Sequence, residues 1–277
     1  MAAPIALCGS LSRWAVPLGA AMHEAGYRVL ELPFRYVPFE LEASELGAAI
    51  AGMRALKIRG LGVSMPFKLA VMPLLDELDD TARRIGAVNT IVNRGGRLIG
   101  HNTDWLGAVR AVEEACPVRG ARVLVLGAGG AARAVAFGFR EGGALVTIAN
   151  RTDERGAALA DELGVAHRTW STRAELRRID VVVNASSLGM RDVELASPLP
   201  EAVLESRLVV LDAVYKPLDT ELVLAARKNG ATAIDGGRML LHQAAAQFEL
   251  YTERAAPLHA MDTALRLAIA ASKDRPA

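Results

Sequence analysis

The stretch that decides the fold is V-L-V-L-G-A-G-G-A-A-R, residues 123–133. An apolar run leads straight into Gly127, Ala128, Gly129, Gly130, Ala131 and Ala132. These match G-x-G-x-x-G/A with Ala132 as the third small residue, and an alanine-rich helical pattern follows. The pattern carries meaning only between a strand and a helix, and that is its setting here. Gly127 allows the tight turn, and Gly129 lets backbone approach a pyrophosphate. The start of the helix offers unpaired N–H groups and a partial positive charge to the anion. The competing reading is a plain glycine-rich turn.

The second strand of such a unit separates NAD from NADP, because an acidic residue at its end holds the ribose 2′-hydroxyl of NAD. This chain reads A-N-R-T-D-E-R at 149–155. Asn150 and Arg151 stand at the deciding place. Arg151 would pair with a 2′-phosphate, and Arg155, one helical turn later, would add to it. Thr152 is placed to cap the next helix, with Asp153 and Glu154 in its favourable first turn. The alternative has Asp153 on the ribose, which would select NAD.

Working outward, strand-like runs at residues 5–8, 28–33, 60–64, 122–126, 145–150, 180–184, 208–213 and 232–234 alternate with helical patterns such as 46–56, 131–140 and 220–228. That alternation predicts an α/β fold of parallel sheets covered by helices. One hairpin interrupts it, with 88–94 and 97–101 flanking Gly95-Gly96. A connecting helix over 105–116, stopped by Pro117, marks the boundary between two domains, and 277 residues are enough for two. Helical patterns at 239–251 and after Pro257 close the chain.

Composition excludes several classes. The net charge of +1 gives no support to a nucleic-acid or anionic-membrane partner. No apolar run reaches the roughly 18 residues of a membrane span, and the N-terminus lacks the features of a signal peptide. Cys8 and Cys116 have neither metal nor redox spacing, so a reduced, cytoplasmic setting without a metal is expected.

Of 32 basic residues only Lys57, Lys68, Lys216, Lys228 and Lys273 are lysines. Lys68 closes G-V-S-M-P-F-K, where a strand meets a helix. Arginine could not exchange a proton there, whereas a partly desolvated lysine can. A surface lysine on a first helical turn is the plainer reading. Asp104, in G-H-N-T-D, is either the cap of the connecting helix or a functional carboxylate. Asn89 lies on the other arm of the same hairpin.

The blocks V-S-M-P-F-K (63–68), G-A-V-N-T (86–90), N-T-D (102–104), G-A-G-G-A-A-R (127–133), N-R-T (150–152), N-A-S-S-L-G-M (184–190), D-A-V-Y-K-P (212–217) and D-G-G-R-M-L-L-H-Q-A (235–244) occur in this order. Together they resemble the shikimate dehydrogenase family of NADP-linked oxidoreductases over essentially the whole chain. The resemblance implies an N-terminal α/β substrate domain, residues 1–104, completed by 239–277. It also implies a Rossmann-type NADP-binding domain, 105–238, and an active site in the interdomain cleft. Lys68 and Asp104 look like the family's catalytic pair. Asn89, Ser64, Tyr215 and Gln243 match substrate-binding positions. The Gly127–Gly130 loop with Ala131, Asn150, Arg151, Thr152 and Arg155 resembles the NADP site, with Ser187, Leu188, Gly189 and Gly236 lining its other end. The partner implied is a small shikimate-like carboxylate, handled by a monomer or homodimer.

The pattern breaks at residues 9–17. The family typically reads G-x-P-I-x-H-S-x-S-P there, its serines binding the substrate carboxylate. This chain reads G-S-L-S-R-W-A-V-P, one residue shorter. Aligned on the proline, the serines become Trp14 and Val16; aligned on Gly9, Ser10 and Ser12 keep the spacing. Arg13 is a possible charged replacement, and Trp14 either packs on a ring, offers its indole N–H, or belongs to the core. Gly62 stands for the family's asparagine, Ser64 for its threonine and His101 for an aspartate. The implied reaction interconverts shikimate and 3-dehydroshikimate. Quinate, an aminated shikimate or another hydroxy-acid is the alternative, and a non-catalytic nucleotide and metabolite sensor a further one.

Overall fold

The computed structural model describes residues 4–14, 17–191 and 193–273. The chain divides into two compact units, Met1–Thr103 with Gln243–Ala277, and Asp104–His242.

In the first unit the elements are β1 (Ala6–Ser12), α1 (Pro17–Val29), β2 (Phe34–Glu40), α2 (Leu46–Ala55), β3 (Gly60–Val63), the short α3 (Phe67–Ala70), β4 (Glu77–Leu78), α4 (Asp80–Ile85), β5 (Thr90–Arg94) and β6 (Arg97–His101). Their strand order is β2-β1-β3-β5-β6-β4. The β5–β6 hairpin turns at Gly95 and Gly96, both at positive φ. Two expectations are corrected here. Residues 28–33 are not a strand, since α1 runs to Val29 and the strand is β2. That strand contains Pro38, which propensity argues against. It stands at the edge of the sheet, where a missing N–H costs no ladder bond. β1 also runs four residues beyond Cys8, to Ser12, so Gly9 and Ser10 are strand rather than turn.

Alternation along β1 and β3 sorts the two faces. Leu11, Leu61 and Val63 join Ile50, Met53, Ile91 and Leu98 in one buried cluster. Each such side chain contributes about 1.5–3 kcal/mol by leaving water. The opposite face carries Cys8 and Ser10, paired with Gly60 and Gly62. Over it lie Tyr27 of α1 and Phe248 and Tyr251 of a C-terminal helix, among the largest fully buried side chains. A Cβ on Gly60 would sit 2.2 Å from the Tyr251 ring, so this strand position must stay bare.

The second unit holds α5 (Asp104–Glu113), β7 (Arg122–Leu126), α6 (Gly130–Glu141), β8 (Leu145–Ala149), α7 (Asp153–Leu163), β9 (Ala166–His167), β10 (Val181–Asn184), β11 (Val209–Asp212), α8 (Glu221–Lys228) and β12 (Thr232–Ile234). All strand pairs are parallel, and the order is β12-β11-β10-β7-β8-β9. Counted within the unit this is 3-2-1-4-5-6, the doubly wound dinucleotide order, with its switch point between β7 and β10. Near-continuous apolar runs such as V-L-V-L and V-V-V fit strands covered on both faces. Two helices close the chain, α9 (Gly236–Thr252), whose residues from Gln243 onward belong to the first unit, and α10 (Leu258–Lys273). Among the described residues no helix is long and apolar enough to cross a membrane.

Candidate active site

In the first unit Asn89 is the centre of a buried polar cluster, with only 2% of its surface exposed. Its Oδ1 accepts the Thr103 backbone N–H at 2.7 Å and the Thr90 hydroxyl at 2.7 Å. A backbone N–H can only donate, so the amide orientation is fixed. Nδ2 is then the atom that reaches Thr103 Oγ1 at 3.0 Å and Gln243 Oε1 at 3.2 Å. The structure thus joins Asn89 and Gln243, which lie far apart in sequence. Lys68 sits in α3, half-buried, and its carbonyl accepts the N–H of Val88, the residue before Asn89. Ser64 is held by backbone bonds to Leu11 and Phe67 at the turn from β3 into α3. Asp104 is buried and is the first residue of α5, following Thr103 directly, rather than the residue that precedes the helix.

In the N-terminal block Ser10 and Ser12 both have hydrogen-bond partners within the first unit. Ser10 is hydrogen-bonded to the buried Tyr36 phenol, whose pKa burial pushes up. The Ser12 hydroxyl donates to the Trp14 carbonyl at 2.7 Å. Trp14 is 65% exposed, which rules out the core-packing reading. Arg13 is exposed as well, its guanidinium carbon 5.3 Å from the centre of the Trp14 ring. Val16 lies outside the described residues. His101, in place of an acidic residue, pairs through Nδ1 with Asp79, the residue that caps α4.

In the second unit the glycine loop stands at the carboxyl end of β7, beside the switch point. Gly127 has φ +121°, and a Cβ there would lie 2.8 Å from the Ala185 carbonyl at the end of neighbouring β10. Gly129 caps α6 with no side-chain bond, and a Cβ on it would meet nothing within 4 Å. Gly130 and Ala131 open the helix, and Ala128 is half-buried beside them. That open, bare helix start has the shape a pyrophosphate requires. At the end of β8 the Asn150 amide donates to the Thr152 carbonyl at 2.8 Å. Arg151 and Arg155 are exposed, Arg151 within 3.4 Å of Glu194. Asp153 accepts the Trp170 backbone N–H at 2.9 Å, so its carboxylate has a structural partner. Thr152 occupies the position that caps α7, but its side chain makes no capping bond. These residues fit a phosphorylated ribose better than a free 2′-hydroxyl.

Two anchors escaped the sequence reading. Asn184, at the end of β10, donates to the Leu188 carbonyl and to Asp212, both at 2.9 Å, and accepts the Ser186 hydroxyl. Asp212, fully buried at the end of β11, also accepts the Thr220 hydroxyl at 2.7 Å and the Val214 N–H at 3.0 Å. Burial pushes the Asp212 carboxyl up to about 6 against these bonds. Together the two side chains fix the loop carrying exposed Ser187, half-buried Leu188 and buried Gly189, which turns at φ +94°. The signal was available: each is the polar residue that ends an otherwise apolar strand. Tyr215 is half-buried just beyond β11, and Gly236 starts α9 against the Val214 carbonyl. Glu114, in the turn just after α5, pairs with Arg238 and with His242 Nε2 at 2.8 Å. The Arg238 bond is the main cause of its lowered pKa.

Comparison with known proteins identifies three segments. Residues 16–91 match the model of the shikimate dehydrogenase substrate binding domain. Residues 110–196 match shikimate / quinate 5-dehydrogenase, and 236–266 the shikimate 5′-dehydrogenase C-terminal domain. The chain is 42% identical to the shikimate dehydrogenase (NADP+) of Moorella thermoacetica, covering 94% of this chain and 92% of that one. It is 47% identical to the corresponding enzyme of Natronomonas pharaonis over 88% and 92%. The chain belongs to the shikimate dehydrogenase family. The crystal structure of the shikimate dehydrogenase of Thermus thermophilus with NADP(H) and shikimate is 35% identical and superimposes with a TM-score of 0.88 over 95% and 99% of the two chains.

Proposed function

We propose that the protein is an NADP-dependent shikimate dehydrogenase, interconverting shikimate and 3-dehydroshikimate. The observation that carries this reading is 42–47% identity to NADP-linked shikimate dehydrogenases over most of the chain, with Lys68 and Asp104 both in place. The first unit takes the substrate and the second the dinucleotide. Gly127, Gly129 and the start of α6 would hold the pyrophosphate, Arg151 and Arg155 the 2′-phosphate, and the Ser187–Gly189 loop the nicotinamide end. Bound NADP supplies the hydride acceptor. Asn89 Nδ2, whose two protons meet Thr103 Oγ1 and Gln243 Oε1, would exchange the longer Gln243 bond for one to a substrate hydroxyl, with Gln243 beside it. Lys68 Nζ takes the hydroxyl proton as the ketone forms and returns it in reduction, and Asp104 stabilises the charge on that ammonium. The near-neutral chain with two free cysteines fits a cytoplasmic monomer or homodimer acting on a small acid rather than on nucleic acid.

The test is NADPH absorbance formed with shikimate at alkaline pH. Lys68→Ala is expected to lose about a thousand-fold in kcat. Undiminished turnover in that variant removes Lys68 from the mechanism. A second reading keeps the chemistry and changes the acid to quinate or an aminated shikimate. It is favoured by the engagement of Ser10 with Tyr36 and of Ser12 with Trp14. A panel of kcat/KM values separates the two.

A further inference from the structure

The row Gln243, Gln247, Tyr251 lies at four-residue spacing along α9, on one side of the helix. The two lower members lie over the bare positions of β3, Tyr251 over Gly60 and Gln247 over Gly62. Two residues of strand and four of helix cover nearly the same length, about 6–7 Å, which keeps the rows in step. Tyr251 fills its place with an aromatic ring. Gln247 fills its place with an amide, although it is only 5% exposed. A buried amide is costly unless its bonds are made.

Those bonds are made, and their direction is fixed. Gln247 Nε2 donates to the Asn89 carbonyl at 3.1 Å, an atom that can only accept. Its other proton goes to Thr90 Oγ1 at 2.9 Å. The Thr90 hydroxyl proton is thereby turned toward Asn89 Oδ1 at 2.7 Å. Asn89 Oδ1 then receives from Thr90 and from Thr103, and Nδ2 becomes the donor face. A Cβ on Gly62 would lie 3.3 Å from Gln247 Nε2, 3.6 Å from its Oε1 and 3.3 Å from the Tyr36 hydroxyl, so the glutamine amide, with Tyr36 beside it, occupies the room a side chain on that strand would take.

We propose that Gln247 is a positioning residue of the substrate half: it supplies from α9 the amide that β3 lacks at Gly62, and through Thr90 it holds Asn89 with its donor face toward the substrate. This rests on the substrate role of Asn89 given above, and two readouts keep the two ideas apart.

The first readout needs no substrate. The Asn89 side-chain NH2 signals, assigned by their disappearance in Asn89→Ser, are followed by hydrogen exchange in wild type and in Gln247→Met, a swap of similar volume. Exchange is expected to accelerate about ten-fold or more in the variant. Unchanged exchange overturns the proposal whatever the enzyme turns over, and so does a Gln247→Met protein that does not fold, which would make the residue a packing element. The second readout is kinetic, in an enzyme first shown to oxidise shikimate. Gln247→Met and Gln247→Ala are expected to raise the shikimate KM about ten-fold, with kcat within about three-fold and the NADP KM unmoved. The double variant Gly62→Asn/Gln247→Ala, which returns an amide from the strand, is expected to bring KM back to within about three-fold of wild type. Wild-type KM in the single variants, or a double variant no better than Gln247→Ala, overturns it. Absence of turnover in wild type counts against the proposed reaction and leaves the exchange result to decide on Gln247.

Discussion

Asn89 Oδ1 holds the backbone N–H of Thr103 at 2.7 Å. Through this one bond the residue opening the β5–β6 hairpin fixes the residue immediately before Asp104. Asn89→Asp keeps an acceptor for Thr103 but places oxygen where Nδ2 now donates to Gln243 Oε1. Steady-state assays of this variant should show kcat/KM lowered about a hundred-fold, while Asn89→Ser, which removes the clash as well as the donor, loses less. Equal activity of Asn89→Asp and wild type would mean that Nδ2 meets no substrate.

Arg151 is expected to set the cofactor preference. A charge-assisted bond to a 2′-phosphate is worth about 1.5–3 kcal/mol, so Arg151→Ala should raise the NADP dissociation constant about 10–100-fold and leave that of NAD nearly unchanged. Glu194 competes for the same guanidinium, but both side chains are largely exposed and the pair is 3.4 Å apart. Glu194→Ala should therefore tighten NADP by less than about five-fold. Titration calorimetry with both cofactors reads both effects.

Asp212 should make the second unit more stable in mild acid. Its carboxyl is raised from an ordinary 3.8 to about 6 by burial. Between those values the folded state binds more proton than the unfolded one, so its contribution is present below about pH 4 and is lost as pH rises through about 6. In Asp212→Asn that dependence disappears. Melting curves should show wild type losing stability relative to the variant from about pH 4 to 7, and a constant difference would contradict the shift.

His23 acts with the opposite sign. It is fully buried, stacked on Tyr36 at 4.4 Å, and burial lowers its pKa to about 3. The unfolded chain takes up the proton first, so stability is complete above about pH 6.5 and falls as pH drops toward 3. His23→Phe keeps the ring stack and removes the titration. Its melting temperature should decline less than that of wild type between about pH 6.5 and 4.

Much of the fold was legible because its signals are local. V-L-V-L-G-A-G-G-A-A-R carries strand, turn and helix start within consecutive residues, and the A-N-R-T-D-E-R strand end follows the same logic. The failures have a common cause. The run at 28–33 reads as a strand, but α1 extends to Val29 because Met22, His23, Gly26 and Tyr27 are buried along it. Pro38 disguises β2, whose edge position depends on which strand lies beside it. Trp14 offers three readings, and only tertiary structure separates an exposed ring from a buried one.

The sequence by itself determined a dinucleotide-type unit, the cofactor choice it implies, and the candidates Lys68, Asn89 and Asp104, since each depends on residues adjacent in the chain. Tertiary structure alone decided which way the Asn89 amide points, that Asp153 belongs to Trp170, and that Ser10 and Ser12 bond to Tyr36 and Trp14. It also decided that the space over Gly62 is shared by Gln247 of α9 and the Tyr36 hydroxyl of β2. A hydrogen bond's direction and the occupancy of a glycine's missing side chain are set by partners that folding brings close, and spacing along the chain does not encode them.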